Sequence, residues 1–174
     1  YETAIPGILA HSTGWATAAR ECVDAARGTP VISIGANNIH PNVSANMDYA
    51  SVKGGCVSCS TTQGARLAGV TPSGNMPHAL NLLIGDTVKA IEAFDRHLPQ
   101  EVPRLALVDT FRYEIEEAIN VASSLKQKLR GIRLDAPMEN QRVTPALVNE
   151  VRARLDLAGF NHVEIMVSGN ITAK

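Results

Sequence analysis

The sequence predicts an α/β fold, a (β/α) barrel-like sheet that is incomplete in this chain and holds about six strand-helix units. Two observations carry the class. Short apolar runs alternate with longer segments of helical period, and the runs are apolar on both faces, as strands buried in a parallel sheet must be. A third observation favours a barrel over an open sheet: polar groups gather just after the C-terminal end of nearly every run. In a barrel those ends share one face, whereas an open sheet uses only the crevice at its switch point.

The elements follow in order. A helical segment runs through Cys22 and stops before Gly28. The strand-like runs are PVISIGA at 30–36, GCVSCS at 55–60, GVTPSG at 69–74, RLALVDT at 104–110, GIRLDA at 131–136 and HVEIMVSG at 162–169. Between them, AINVASSLKQKL spaces Ile119, Ala122, Leu125 and Leu129 by three and four, the stripe of a helix facing a sheet. The segment TPALVNEVRARLDLAGF adds a start signal in Thr144-Pro145 and an end signal in Gly159. No repeat or linker divides the chain, so residues 1–174 read as one partial domain. The closing SGNITAK follows a strand with no helix to cover it, and a longer parent protein is expected.

Composition narrows the function. With 174 residues, 45% of them hydrophobic, the chain can bury a sizeable core. A formal net charge of −1, with Lys and Arg spread along the chain, offers no footprint for nucleic acid or an anionic membrane. No apolar run approaches the roughly 18 residues of a membrane span, so a cytoplasmic protein is expected. Three cysteines, Cys22, Cys56 and Cys59, suit a reducing compartment and not a disulfide framework. Cys56 and Cys59 have the spacing of a redox or half-metal motif, but zinc needs about four ligands, so buried strand thiols are the expected reading and no metal ligands are assigned.

The polar strand ends supply the candidate site: Asn37 with His40, Ser60 with Thr61, Asn75 with His78, Asp109 with Thr110, Arg133 with Asp135, and Ser168 with Gly169 and Asn170. His78 follows Pro77 and precedes an apolar helical run, where it either caps the helix or acts chemically, since imidazole is nucleophilic near neutral pH. Asp109 is equally a helix cap or a site carboxylate. Asp135 offers hydrogen-bond acceptance or a ligand for Mg²⁺, Arg133 a planar fork for phosphate oxygens, and the Ser168–Asn170 turn backbone amides.

Taken together, YETAIPGILAHSTGWATAAREC, ISIGANNIHPNV, SGNMPHALNLLIGDT with AFDRHLP, LALVDTF, GIRLDAP and VRARLDLAGF before IMVSGN resemble the nicotinate phosphoribosyltransferases, type II phosphoribosyltransferases that include the nicotinamide-using enzyme. The resemblance spans the whole chain. It implies a homodimer with a shared active site, in which phosphoribose passes from phosphoribosyl pyrophosphate, with Mg²⁺, to a pyridine base. ATP is the implied co-substrate, acting through a phosphohistidine at His78. Asp135 is the second implied catalytic residue, and Asn37, His40, Ser60, Asp109, Arg133, Ser168, Gly169 and Asn170 are implied to bind substrate.

Departures from the family pattern are concentrated at the base. Where the family has "F-G-x-R", this chain has Ile34-Gly35-Ala36-Asn37, which trades a charge-assisted fork for a neutral amide. Ser60-Thr61 replaces an acidic residue, Asn75 a threonine, and Met138-Glu139 a Gly-Asp pair. The alternative reading is therefore a non-catalytic or substrate-altered relative that keeps the barrel and dimer.

Overall fold

The computed structural model describes residues 1–74, 76–111, 113–135, 143–169 and 171–173, with Asn37 described through its backbone alone. It forms two compact units, Tyr1–Gly74 with Thr172–Lys174, and Asn75–Ile171.

The first unit opens with helix α1, Ile5–Ala25, whose chain leaves through Gly28 at φ +96°. Strand β1, Ile32–Ser33, leads through a 3-10 turn at Gly35–Asn38 into α2, Pro41–Lys53. Proline at the first helical position and His40 as the cap start α2 cleanly. Strand β2, Ser58–Cys59, pairs parallel with β1, and α3, Thr62–Ala68, follows behind its cap Thr61. Glycine at 54 lets α2 end against α1, because a Cβ there would lie 2.9 Å from the Ala19 Cβ. Cys56 and Cys59 are both buried free thiols, although only Cys59 lies in the strand. Burial pushes the Cys59 thiol up to about 11, with Asp48 adding to the effect.

In the second unit, α4 (His78–Ile84) and α5 (Thr87–His97) precede β3 (Arg104–Leu107), α6 (Glu114–Leu125), β4 (Leu129–Asp135), α7 (Pro145–Leu157) and β5 (Glu164–Ser168). The sheet runs β3-β4-β5, all parallel, as two successive strand-helix-strand crossovers require. Gly131 admits β4 between its neighbours: a Cβ would sit 2.9 Å from the Glu164 carbonyl oxygen and 3.0 Å from Leu105 Cδ2. Leu107, Val121, Ile132, Leu134, Val151 and Leu155 are buried together where the sheet meets its helices. At the N-terminal end of β3, buried Arg104 binds Asp95 and the carbonyls of Leu98, Pro99 and Val102, which closes the loop from α5.

The α/β class and parallel pairing agree with the sequence, and five of the six expected runs contain strands. Among the described residues these strands form sheets of two and three members, neither of them closed. The run at 69–74 is not a strand. Pro72 has no N–H to give a ladder, and the segment is tied to β2 through Ser73 N–H donating to the Cys59 carbonyl at 2.9 Å and Ser58 Oγ donating to the Thr71 carbonyl at 2.7 Å. The helix expected through Leu129 stops at Leu125, because Lys126 turns to φ +51° and opens a 3-10 turn. Leu129 serves the core as the first residue of β4. The caps Thr144 and Gly159 stand where expected around α7, Gly159 at φ +85°. No helix among the described residues is long and apolar enough to cross a membrane.

Candidate active site

The C-terminal ends of β3, β4 and β5 and the start of α4 carry one connected set of polar side chains. His78 is the first residue of α4, and its side chain is 28% exposed. Its Nε2 lies 3.0 Å from Oδ1 of Asp109, two residues past the end of β3. A carboxylate can only accept, so this contact places the ring proton on Nε2 and leaves the lone pair on Nδ1. The second Asp109 oxygen accepts the backbone N–H of Asp135, which joins the ends of β3 and β4. Burial pushes the Asp109 carboxyl above its ordinary range, outweighing the opposing effects of the Asp135 amide and His78.

Asp135 ends β4, and Arg133 precedes it by two on the same face of the strand. Arg133 Nη2 donates to Asp135 Oδ2 at 2.6 Å, and its Nε donates to Ser168 Oγ at 2.8 Å. Ser168, the last residue of β5, donates its own proton to Asp135 Oδ1 at 3.0 Å. This ring of three side chains pins β4 to β5 and leaves Nη1 of Arg133 without a partner among the described residues. His78 Nδ1 lies 4.0 Å from Asp135 Oδ2, outside hydrogen-bond reach. Each oxygen of both carboxylates therefore has a donor already, and among the described residues no group of three acidic, His or Cys side chains could hold a metal ion.

The structure thus brings together His78, Asp109, Arg133, Asp135 and Ser168, with Gly169 following at φ +85°. Asn37, His40 and Ser60 belong to the other compact unit. There, exposed His40 uses Nδ1 to accept the Asn42 N–H at 3.2 Å, which makes it the cap of α2 and leaves its Nε2 outward-capable. Ser60 follows β2 and lies half-buried, and the side chain of Asn37 and all of Asn170 lie outside the described residues.

Two buried polar residues escaped the sequence reading. Asn81, three residues after His78 on the same helical face, donates through Nδ2 to the Leu107 carbonyl at 3.0 Å and to Thr110 Oγ1 at 2.7 Å, fastening α4 to the end of β3. A lone amide in the apolar run HALNLLI was its signal. Asp48, in the middle of α2 and fully buried, binds the ends of both β1 and β2.

Comparison with known proteins gives relatives that act on more than one pyridine substrate. The family model described as quinolinate phosphoribosyl transferase, C-terminal domain, matches residues 15–174. Nicotinate phosphoribosyltransferase pncB2 of Mycobacterium tuberculosis is 31% identical over 159 residues, which is 90% of this chain and 33% of that protein. Nicotinate phosphoribosyltransferase pncB1 of the same organism is 28% identical over 177 residues, 98% of this chain and 38% of that protein. The crystal structure of nicotinate-nucleotide pyrophosphorylase from Pyrococcus furiosus superimposes with a TM-score of 0.88 at 41% identity, over 93% of this chain and 42% of that one. The chain therefore spans about a third of the length of the curated relatives it matches.

Proposed function

Because this chain belongs to the quinolinate phosphoribosyl transferase C-terminal domain family, we propose that it forms the catalytic core of a phosphoribosyltransferase of NAD biosynthesis, which transfers phosphoribose from phosphoribosyl pyrophosphate to nicotinate or a related pyridine base. The observation that carries this reading is the linked set His78, Asp109, Asp135, Arg133 and Ser168 at three parallel strand ends, where sheet proteins of this kind place their chemistry. In the transfer, the C1–oxygen bond to pyrophosphate breaks as the ring nitrogen of the base bonds to C1. Charge moves onto the pyrophosphate and a cation-like ribose develops. The Nη1 of Arg133, without a partner among the described residues, suits the departing anion, and the Asp135 carboxylate suits the cationic ribose. Mg²⁺ would enter with the substrate phosphates, and the carboxylates of Asp135 and Asp109 are the nearby acidic groups that could meet it.

The same reading assigns ATP to His78. Asp109 holds the ring proton on Nε2, so Nδ1 attacks the terminal phosphate; the N–P bond forms as the bond to ADP breaks. The barrel completed by further strands, the homodimer with a shared site and the cytoplasmic setting rest on the family resemblance. The choice of base turns on residues of the first unit, where Asn37 replaces the family's arginine. A non-catalytic relative is the competing outcome.

The test uses the full-length protein with phosphoribosyl pyrophosphate, Mg²⁺ and nicotinate, quinolinate or nicotinamide in turn, with and without ATP. One acid should yield its mononucleotide and pyrophosphate. His78→Ala should lose ATP stimulation and acid-labile phosphate while keeping a slow ATP-independent transfer. Equal labelling of parent and variant by radioactive ATP reduces His78 to a structural partner of Asp109, and no product from any base removes the transferase reading.

A further inference from the structure

Asp48 is fully buried in α2, and among the described residues it makes no ion pair. A carboxyl group in that position must be met by hydrogen-bond donors, because burying it without them is costly. Its donors come from two strands. Ser33 Oγ, at the end of β1, donates to Oδ1 at 2.8 Å, and the Thr61 N–H, just past β2, donates to Oδ2 at 2.7 Å. The Ser60 hydroxyl points to the same oxygen at 3.5 Å, the outer limit of a hydrogen bond. The neighbourhood is built tightly around this group: a Cβ on Gly64 would lie 2.5 Å from Asp48 Cβ and 2.6 Å from Thr61 Oγ1.

The charge is not needed for packing. A buried carboxylate bound only by hydroxyls and an amide is costly beside an apolar residue of equal volume, so its value lies in what it holds in place. It holds two chain segments, the exit from β1 that becomes the Gly35–Asn38 turn and the Ser60–Thr61 exit from β2. Both carry residues implied above to bind substrate, Asn37 and Ser60. We propose that Asp48 is a positioning residue for binding of the pyridine base, setting the Ser60–Thr61 backbone and the Ser60 hydroxyl against the end of β1. This inference rests on the transferase reading and on Ser60 as a binding group. Asp48 itself touches no substrate.

The experiment is a double-mutant cycle on full-length enzyme, measuring KM for the pyridine acid that the parent uses, kcat, and acid-labile phosphate on His78. Asp48→Ala should raise KM by about tenfold, the scale of one lost charged hydrogen bond, with kcat within about twofold and His78 labelling unchanged. Asp48→Asn, whose amide still accepts the Thr61 N–H and can donate to Ser33, should recover most of the loss. On a Ser60→Ala background, Asp48→Ala should raise KM much less than it does alone, because the part of its effect that passes through the Ser60 hydroxyl is already lost. Should Asp48→Ala fail to fold, Ser33→Ala removes one donor while retaining the acid, and a rise of about twofold to threefold in KM, absent on the Ser60→Ala background, supports the same conclusion. KM unmoved in an active enzyme, or effects that multiply across the cycle, overturn the positioning role alone. A parent that converts no pyridine base removes the transferase reading and this inference with it.

Discussion

In the unit Asn75–Ile171, the strand ends are joined by charges of both signs, with Arg133 bound to Asp135 and Ser168, and His78 bound to Asp109. In the unit Tyr1–Gly74, the strand ends meet at one carboxylate, Asp48, answered by hydroxyls and a backbone amide. Among the described residues the first arrangement leaves the Nη1 of Arg133 and the Nδ1 of His78 without hydrogen-bond partners, which suits the proposed encounter with a charged substrate. The second has spent its capacity on itself and fixes geometry. Substitutions should separate the two, with loss of chemistry in one unit and loss of shape in the other.

The largest expected effect belongs to Asp135. Asp135→Asn should lower transfer by at least about a hundredfold, because it removes the charge facing a cationic ribose. The thermal midpoint should stay within a few degrees, since the amide oxygen can still accept from Arg133 while the amide NH2 can donate to the Ser168 hydroxyl. Large destabilisation with full activity per folded molecule, measured by calorimetry beside the assay, would place Asp135 with Asp48 among the shape-holding groups.

In the other unit Gly64→Ala should do the reverse. The new methyl meets Asp48 and Thr61 at less than a van der Waals contact, and overpacking of this kind costs about 1–3 kcal/mol. Chemical denaturation should show that loss, and His78 should still take phosphate from ATP in the folded fraction. Failure of labelling in well-folded Gly64→Ala would break the division between the units.

A smaller effect concerns Asp109, whose carboxyl is pushed up by burial. The folded protein then binds this proton more readily than the unfolded chain does. Its contribution to stability is greatest below the ordinary carboxylate value of about 4 and declines as pH rises from there through the raised folded value. Asp109→Asn removes that decline, so its stability relative to the parent should improve across that interval and level off above it. Denaturation midpoints measured from pH 3 upward give the comparison, and parallel curves would contradict the buried-carboxylate description. The same variant should lose His78 phosphorylation, because an amide facing Nε2 donates and moves the ring proton to Nδ1.

How much of this was legible in the sequence follows from the range of the interactions. Strands β3, β4 and β5 were visible in the runs at 104–110, 131–136 and 162–169 because buried parallel strands are written as continuous apolar runs, and α7 because its cap residues are local signals. Leu129 misled because an apolar residue in helical phase looks the same whether the helix continues or a strand begins. The decisive event, Lys126 at positive φ, leaves no hydrophobic trace. The run at 69–74 misled because composition there outweighed the missing N–H of Pro72. His78, Asp109, Arg133, Asp135 and Ser168 could be named one by one from their places at strand ends. Their connection could not, since the contacts from Asp109 to His78 and from Ser168 to Arg133 cross 31 and 35 residues of chain. Asp48 and Asn81 were missed for the same reason: each sits inside a helix, and its partners belong to other elements.

The central claim is that the charged strand ends of Asn75–Ile171 receive the phosphoribosyl group, and its most direct measurement is calorimetric binding of phosphoribosyl pyrophosphate to the full-length protein and to Arg133→Lys. Lysine keeps the charge beside Asp135 but loses the planar fork that can hold Ser168, Asp135 and a phosphate at once. The account predicts a Kd weakened by at least about tenfold, with the thermal midpoint of the free protein little changed. An unchanged Kd in a folded Arg133→Lys protein would contradict it.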